Sequence, residues 1–182
     1  MLRRSSRYSR RANRHTGVCF SGEQCAHIIK LCEEEKDCAW SARGDYAQST
    51  VDMEVDKLPK LCRYLRSPEV SLPSKLTSIY KSVYHASIAS LDDVFVVRYS
   101  AASDKEGIKN GQTGLRSHVD AGDVSFMVAL SEWSEYSGGG TFFHKEGEAW
   151  RQEDEETGDV KDAEGVTIHL NRGEVITFPA SL

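Results

Sequence analysis

His118 and Asp120, two residues apart in Leu115-Arg116-Ser117-His118-Val119-Asp120, are the pair in this sequence best suited to chemistry. On an extended strand side chains alternate, so residues two apart share a face. An imidazole and a carboxylate placed that way offer a divalent ion two ligands from one short segment. A third ligand from a distant strand would complete a 2-His-1-carboxylate facial triad, which leaves positions on Fe(II) open to substrates. The spacing alone is common. With six histidines and 28 acids in 182 residues, about one such pair arises by chance. The chain holds a second, His144-Lys145-Glu146, and the context must choose between them.

The elements that must position such a pair belong to one ordinary domain: 182 residues, 39% hydrophobic and 28% charged, are enough to bury a core. No apolar run approaches the roughly 20 residues of a membrane span, so the chain is expected to be soluble, with no membrane span. The net charge of -5 conceals an asymmetry. Six arginines and no acid fall in residues 1–22, leaving 17 basic against 28 acidic residues in the remainder. A body that acidic speaks against nucleic acid as the main partner. All five cysteines (19, 25, 32, 38 and 62) lie in the N-terminal third without a CxxC pair. They read as free thiols packed in a reducing compartment, so the cytoplasm is the expected location. The Arg- and Ser-rich residues 1–17 read as a disordered basic tail; an organelle transit peptide shares that composition.

Ser21 and Gln24 have capping-box spacing, and Cys25, Ile28, Ile29 and Cys32 recur with helical period, predicting a helix from Gly22 to about Glu35. Alternation in Val51, Met53 and Val55 predicts a strand. Leu58 to Leu65 and Pro73 to Tyr84 read as two further helices. After Leu91 the character changes to strands: Asp93 to Ser100, the His118 strand, Val124 to Ser131, Thr141 to Phe143, Val166 to Leu170 and Glu174 to Phe178. Lys145 to Glu164, with nine acids and three bases, reads as a solvated loop. Asn171-Arg172-Gly173 is the turn between the last two strands. Helices followed by many short strands predict an α+β fold, with the helices packed on a β-sandwich or jelly roll.

Phe95-Val96-Val97-Arg98-Tyr99, His118-Val119-Asp120, Val128-Ala129-Leu130 and Tyr136-Ser137-Gly138-Gly139-Gly140-Thr141-x-Phe143, taken together, resemble the Fe(II)/2-oxoglutarate dioxygenases. The nearest branch is that of the prolyl 4-hydroxylases and procollagen lysyl hydroxylases. The likeness runs from about Phe95 to the C-terminus and favours His118 over His144. It implies a single dioxygenase-like domain over 18–182, with a helical lead-in (18–90) and a double-stranded β-helix, or jelly roll (91–182). His118 and Asp120 would then match two metal ligands, Tyr99 a tyrosine that contacts 2-oxoglutarate, and Thr141 a small polar residue lining the same pocket. The implied cofactors are Fe(II), 2-oxoglutarate and L-ascorbate. The implied reaction is O2-dependent hydroxylation of a C–H bond, with succinate released, on a prolyl or lysyl residue of a protein or peptide substrate. Arg98, turned away from Tyr99 by alternation, is expected to be structural, and His144 a surface residue.

The resemblance also has a gap. The family's second histidine follows the strand equivalent to Gly173–Phe178 by a few residues, and a last strand then carries the Arg or Lys that pairs with the 2-oxoglutarate carboxylate. His169 lies upstream and does not align with it. The third ligand is therefore expected beyond Leu182, the final strand is expected to be missing, and the edge beside Glu174–Phe178 is expected to be unpaired. The alternative reading is a non-catalytic jelly-roll binding module that has lost the complete metal site.

Overall fold

The computed structural model describes residues 15–35, 40–43, 50–88, 90–99, 114–115, 118–144 and 165–180. The chain order is β1 (His15–Val18), α1 (Gly22–Glu34), β2 (Ser41–Arg43), β3 (Thr50–Glu54), α2 (Pro59–Arg66), α3 (Leu72–Tyr84), β4 (Phe95–Val97), β5 (Val124–Val128), β6 (Thr141–His144), β7 (Gly165–Ile168) and β8 (Glu174–Pro179). Among the described residues this is an α+β arrangement of three helices and small antiparallel sheets, in the orders β1-β8-β5, β2-β3-β4 and β6-β7. No described helix is long and apolar enough to cross a membrane.

The helices start where their sequences allow. Ser21 Oγ accepts from the Gln24 backbone N–H at 3.2 Å, and Gln24 Oε1 accepts from the Ser21 N–H at 3.0 Å, closing the capping box of α1. Proline occupies the first turn of both α2 and α3, where its missing N–H goes unused. Cys25, Ile28, Leu31 and Cys32 of α1 then bury one stripe against Leu61 and Leu65 of α2 and Leu72 and Leu76 of α3. Met53 and Val55, Val96, Phe126 and Val128, and Val175 complete that core from the strands. One helical layer thus covers both three-stranded sheets.

β8 alternates between two environments. Val175 faces the helical core, and Thr177, 3% exposed, accepts from the Tyr84 hydroxyl at 3.2 Å. Ile176 and Phe178 face the other way, into a second cluster with Phe143, Ile168 and Leu170, where the Phe143 and Phe178 rings meet edge to face at 5.0 Å. The β6–β7 pair therefore lies over the face of the β1-β8-β5 sheet opposite the helices.

Five expectations are corrected here. Residues 118–120 do not form a strand; the chain is irregular there and bends at 121–123 before β5 begins. The strand after Asp93 pairs with β3, as in Met53↔Val96, rather than with the His118 segment. β8 has no open edge, because β1 pairs along one side (Thr16↔Ile176) and β5 along the other (Met127↔Ile176). β1 also takes residues 15–17 out of the expected basic tail, whose residues 1–14 lie outside the described ones. Lastly, β7 and β8 flank the Asn171-Arg172-Gly173 turn without pairing with each other. Gly173 explains the separation. Its N–H donates to Ala129 O at 2.7 Å, and its carbonyl accepts from the Cys19 and Phe20 N–H groups at 2.8 and 3.0 Å. The turn is bound by the ends of β5 and β1, so β8 enters between those strands and leaves β7 to β6.

Candidate metal centre

The β5–β8 ladder sets the position of the His118–Asp120 segment. Val124 lies opposite Pro179 and Ser125 opposite Phe178, and the Ala180 N–H donates to Asp123 O at 3.1 Å. Gly122, at φ +95°, takes the left-handed conformation that reverses the chain just before β5. The reversal carries Asp120 back towards Ser125, whose side chain helps to lower the Asp120 carboxyl. Ser125 and Met127 occupy the face of β5 that carries Ile176 and Phe178 on β8, so Asp120 sits at the end of the space between the two sheet layers.

His118 Nε2 stands 3.2 Å from Asp120 Oδ1, with 46% and 32% of the two side chains exposed. The hydrogen bond from His118 holds the Asp120 carboxyl below the ordinary carboxylate range. Burial opposes that shift, while the Ser125 hydroxyl and the imidazole's charge reinforce it.

The pair can be tested against a metal by its spacing. Two ligand atoms bound at right angles, each about 2.1 Å from a first-row divalent ion, lie about 3.0 Å apart. The observed 3.2 Å matches that edge of an octahedron, and nitrogen with carboxylate oxygen is a donor set that suits Fe(II). The fit covers two ligands. Among the described residues no group of three His, Cys, Asp or Glu side chains is placed to hold an ion.

The other expected site residues fall at varying removes. Thr141 begins β6, and its hydroxyl lies 3.7 Å from Met127 Sδ. It thus approaches the same face of β5 as Asp120, one inward position further along. Tyr99 follows β4 and is 52% exposed; burial of its ring raises the phenol above its ordinary pKa. No ladder joins β4 to β5 among the described residues, so pairing does not bring Tyr99 to the His118 segment. Arg98 points to the helical side, its guanidinium 5.8 Å from the Trp40 ring centre and 4.0 Å from Glu33. His144 packs edge-on against Phe142 at 5.0 Å, and its sequence partner Glu146 lies outside the described residues. His169 packs against Trp133 with ring centres 5.4 Å apart and planes tilted by 46°, beside Gly140.

Ser125 is the residue that sequence reading missed. A hydroxyl at an inward position of Val124-Ser125-Phe126-Met127-Val128 is the signal that could have found it, because a half-buried hydroxyl on such a strand requires a partner. Comparison of the chain with protein-family models, curated proteins and solved structures finds no match.

Proposed function

We propose that this protein is an Fe(II)- and 2-oxoglutarate-dependent dioxygenase built on a jelly roll. The observation that carries the reading is the 3.2 Å approach of His118 Nε2 to Asp120 Oδ1 at the end of two layered antiparallel sheets. His118 and Asp120 would hold the iron together with a third ligand, which the resemblance makes a histidine. Bound Fe(II) would supply O2 activation coupled to decarboxylation of 2-oxoglutarate to succinate, with ascorbate keeping the metal reduced. Thr141, on the inner face beside Met127, would bind the 2-oxoglutarate chain, and Tyr99 would contact it. The substrate would be a prolyl or lysyl residue of a protein or peptide. The acidic charge outside residues 1–22 would favour cationic segments around that residue.

Succinate release provides the test. With Fe(II), ascorbate and a peptide substrate present, the protein should release succinate from 2-oxoglutarate, and Tyr99→Phe should raise the apparent KM for 2-oxoglutarate. Turnover by residues 1–182 that is lost in His169→Ala would overturn this assignment of ligands.

A second reading, a jelly-roll binding module without catalysis, is favoured by one observation. His118 and Asp120 already satisfy each other by hydrogen bonding, with no third ligand beside them among the described residues. Such a module would bind no metal at this pair.

A further inference from the structure

Trp133 and Tyr136 stand 48% and 45% exposed on one short stretch of chain. A single 3₁₀ turn, Trp133–Glu135, carries the first, and the second follows it directly. Side chains three apart on such a turn fall on one side. The glycines behind the turn set the rings in place. Gly139 and Gly140 lie at φ +74° and +92°. A Cβ built on Gly139 would stand 2.8 Å from the Tyr136 ring, and one on Gly140 would stand 3.0 Å from the His169 ring, so only bare backbone lets both rings lie so close. His169 in turn meets Trp133 with ring centres 5.4 Å apart. Tyr136, the Gly139–Gly140 backbone, His169 and Trp133 therefore make one continuous surface, built from the segment before β6 and the segment after β7.

The edge of that surface is acidic. Glu135 pairs with the Arg172 guanidinium and accepts from the Glu132 N–H at 3.1 Å, while Glu132 Oε2 accepts from the Arg172 backbone N–H at 3.3 Å. Two carboxylates against one guanidinium leave a formal charge of -1 beside the rings. Residues 23–182 add to it, with 17 basic against 28 acidic residues. Aromatic faces are electron-rich and attract ammonium and guanidinium groups that lie over them. An anion would meet those faces within an acidic surround, and a purely apolar partner would bury the carboxylates without pairing them. We propose that Trp133, Tyr136 and His169 form a docking surface for a lysine or arginine side chain of a peptide partner, held by the faces of Trp133 and Tyr136 and by the Glu132 carboxylate. Gly140 leads directly into Thr141, whose hydroxyl approaches Met127, so the surface adjoins the inner face of β5. It uses neither His118 nor Asp120 and stands whichever reading of that pair holds.

A fluorescein-labelled, C-terminally amidated pentapeptide, Gly-Arg-Gly-Arg-Gly, serves as the probe. The same peptide with citrulline in place of arginine is its uncharged match. Fluorescence anisotropy with the 182-residue chain should show the arginine peptide binding about 5–20-fold more tightly than the citrulline peptide. Trp133→Leu and Tyr136→Leu keep an apolar side chain but lose the ring, and each should weaken the arginine peptide about 2–5-fold. Phe95→Leu removes an exposed ring from β4 and should bind as the wild type does. On the wild-type protein, the arginine peptide should also slow oxidation of Trp133 by N-bromosuccinimide, read by mass spectrometry. That measurement locates the contact even where a variant fails to fold. No binding, equal binding of the two peptides, wild-type affinity in both the Trp133 and Tyr136 variants, or unaltered Trp133 oxidation would each overturn the proposal.

Discussion

Replacing Gly173 with alanine tests how the sheet that carries the candidate site is held together. Gly173 sits at φ +83°, and a Cβ built there would overlap the carbonyl oxygen of Phe20. The left-handed conformation alone costs a non-glycine residue about 1–2 kcal/mol. Relieving the overlap requires Phe20 to move, which strains the hydrogen bonds from the Cys19 and Phe20 N–H groups to Gly173 O at 2.8 and 3.0 Å. At about 1 kcal/mol for each bond, the collision adds roughly 2 kcal/mol. Gly138→Ala is the control. Gly138 has φ +79°, but nothing lies within 4 Å of an added Cβ, so only the conformational cost applies. Gly173→Ala should therefore lose about 3–4 kcal/mol and Gly138→Ala about 1–2 kcal/mol. In thermal unfolding followed by circular dichroism, the roughly 2 kcal/mol difference should separate the midpoints by about 4–8 °C for a chain of this size. Equal midpoints for the two variants would refute the view that this turn clamps β1 and β5 to β8.

Two further outcomes follow from packing and burial. Burial pushes the thiols of Cys19 and Cys32 up to about 11 from the usual 9.0 and raises that of Cys25 as well. At pH 8, iodoacetamide should label the half-buried Cys62 before these three, as read by mass spectrometry of the native protein. The same shifts set a sign: between pH 9 and 11 the unfolded chain releases thiol protons that the folded chain keeps, so stability should fall as pH rises through that window. His169→Ala should change Trp133 fluorescence, because the two ring centres lie 5.4 Å apart, and should leave metal affinity unaltered.

The helices were legible because their signals are local. Ser21 and Gln24 mark the start of α1, prolines mark α2 and α3, and the buried stripes follow the helical period. Several strand positions were legible to within a few residues, as in Thr50–Glu54 and Val124–Val128, whereas His15–Val18 and Ser41–Arg43 were not and residues 118–120 form no strand. Strand partners were not legible. The docking of His15–Val18 on β8 joins segments some 160 residues apart, and four residues beside an arginine-rich stretch carry no pattern that names their partner. The separation of β7 from β8 depends on the backbone bonds that Gly173 donates to Ala129 and accepts from Cys19 and Phe20, which no side-chain pattern records. At the site, the spacing of His118 and Asp120 was readable, whereas the geometry was ascribed to a strand. Irregular chain over 118–120, followed by the bend through Gly122, carries the pair instead.

The central claim is that His118 and Asp120 share a divalent ion, and anaerobic titration of the 182-residue chain with Fe(II) or Co(II) tests it most directly. The wild type should bind one ion per chain. His118→Ala and Asp120→Ala should each weaken binding by at least the roughly 10–100-fold typical of losing even an outer hydrogen bond to a ligand, while His144→Ala and His169→Ala should bind as the wild type does. Wild-type affinity in both His118→Ala and Asp120→Ala, or loss of the ion in His144→Ala instead, would contradict the account.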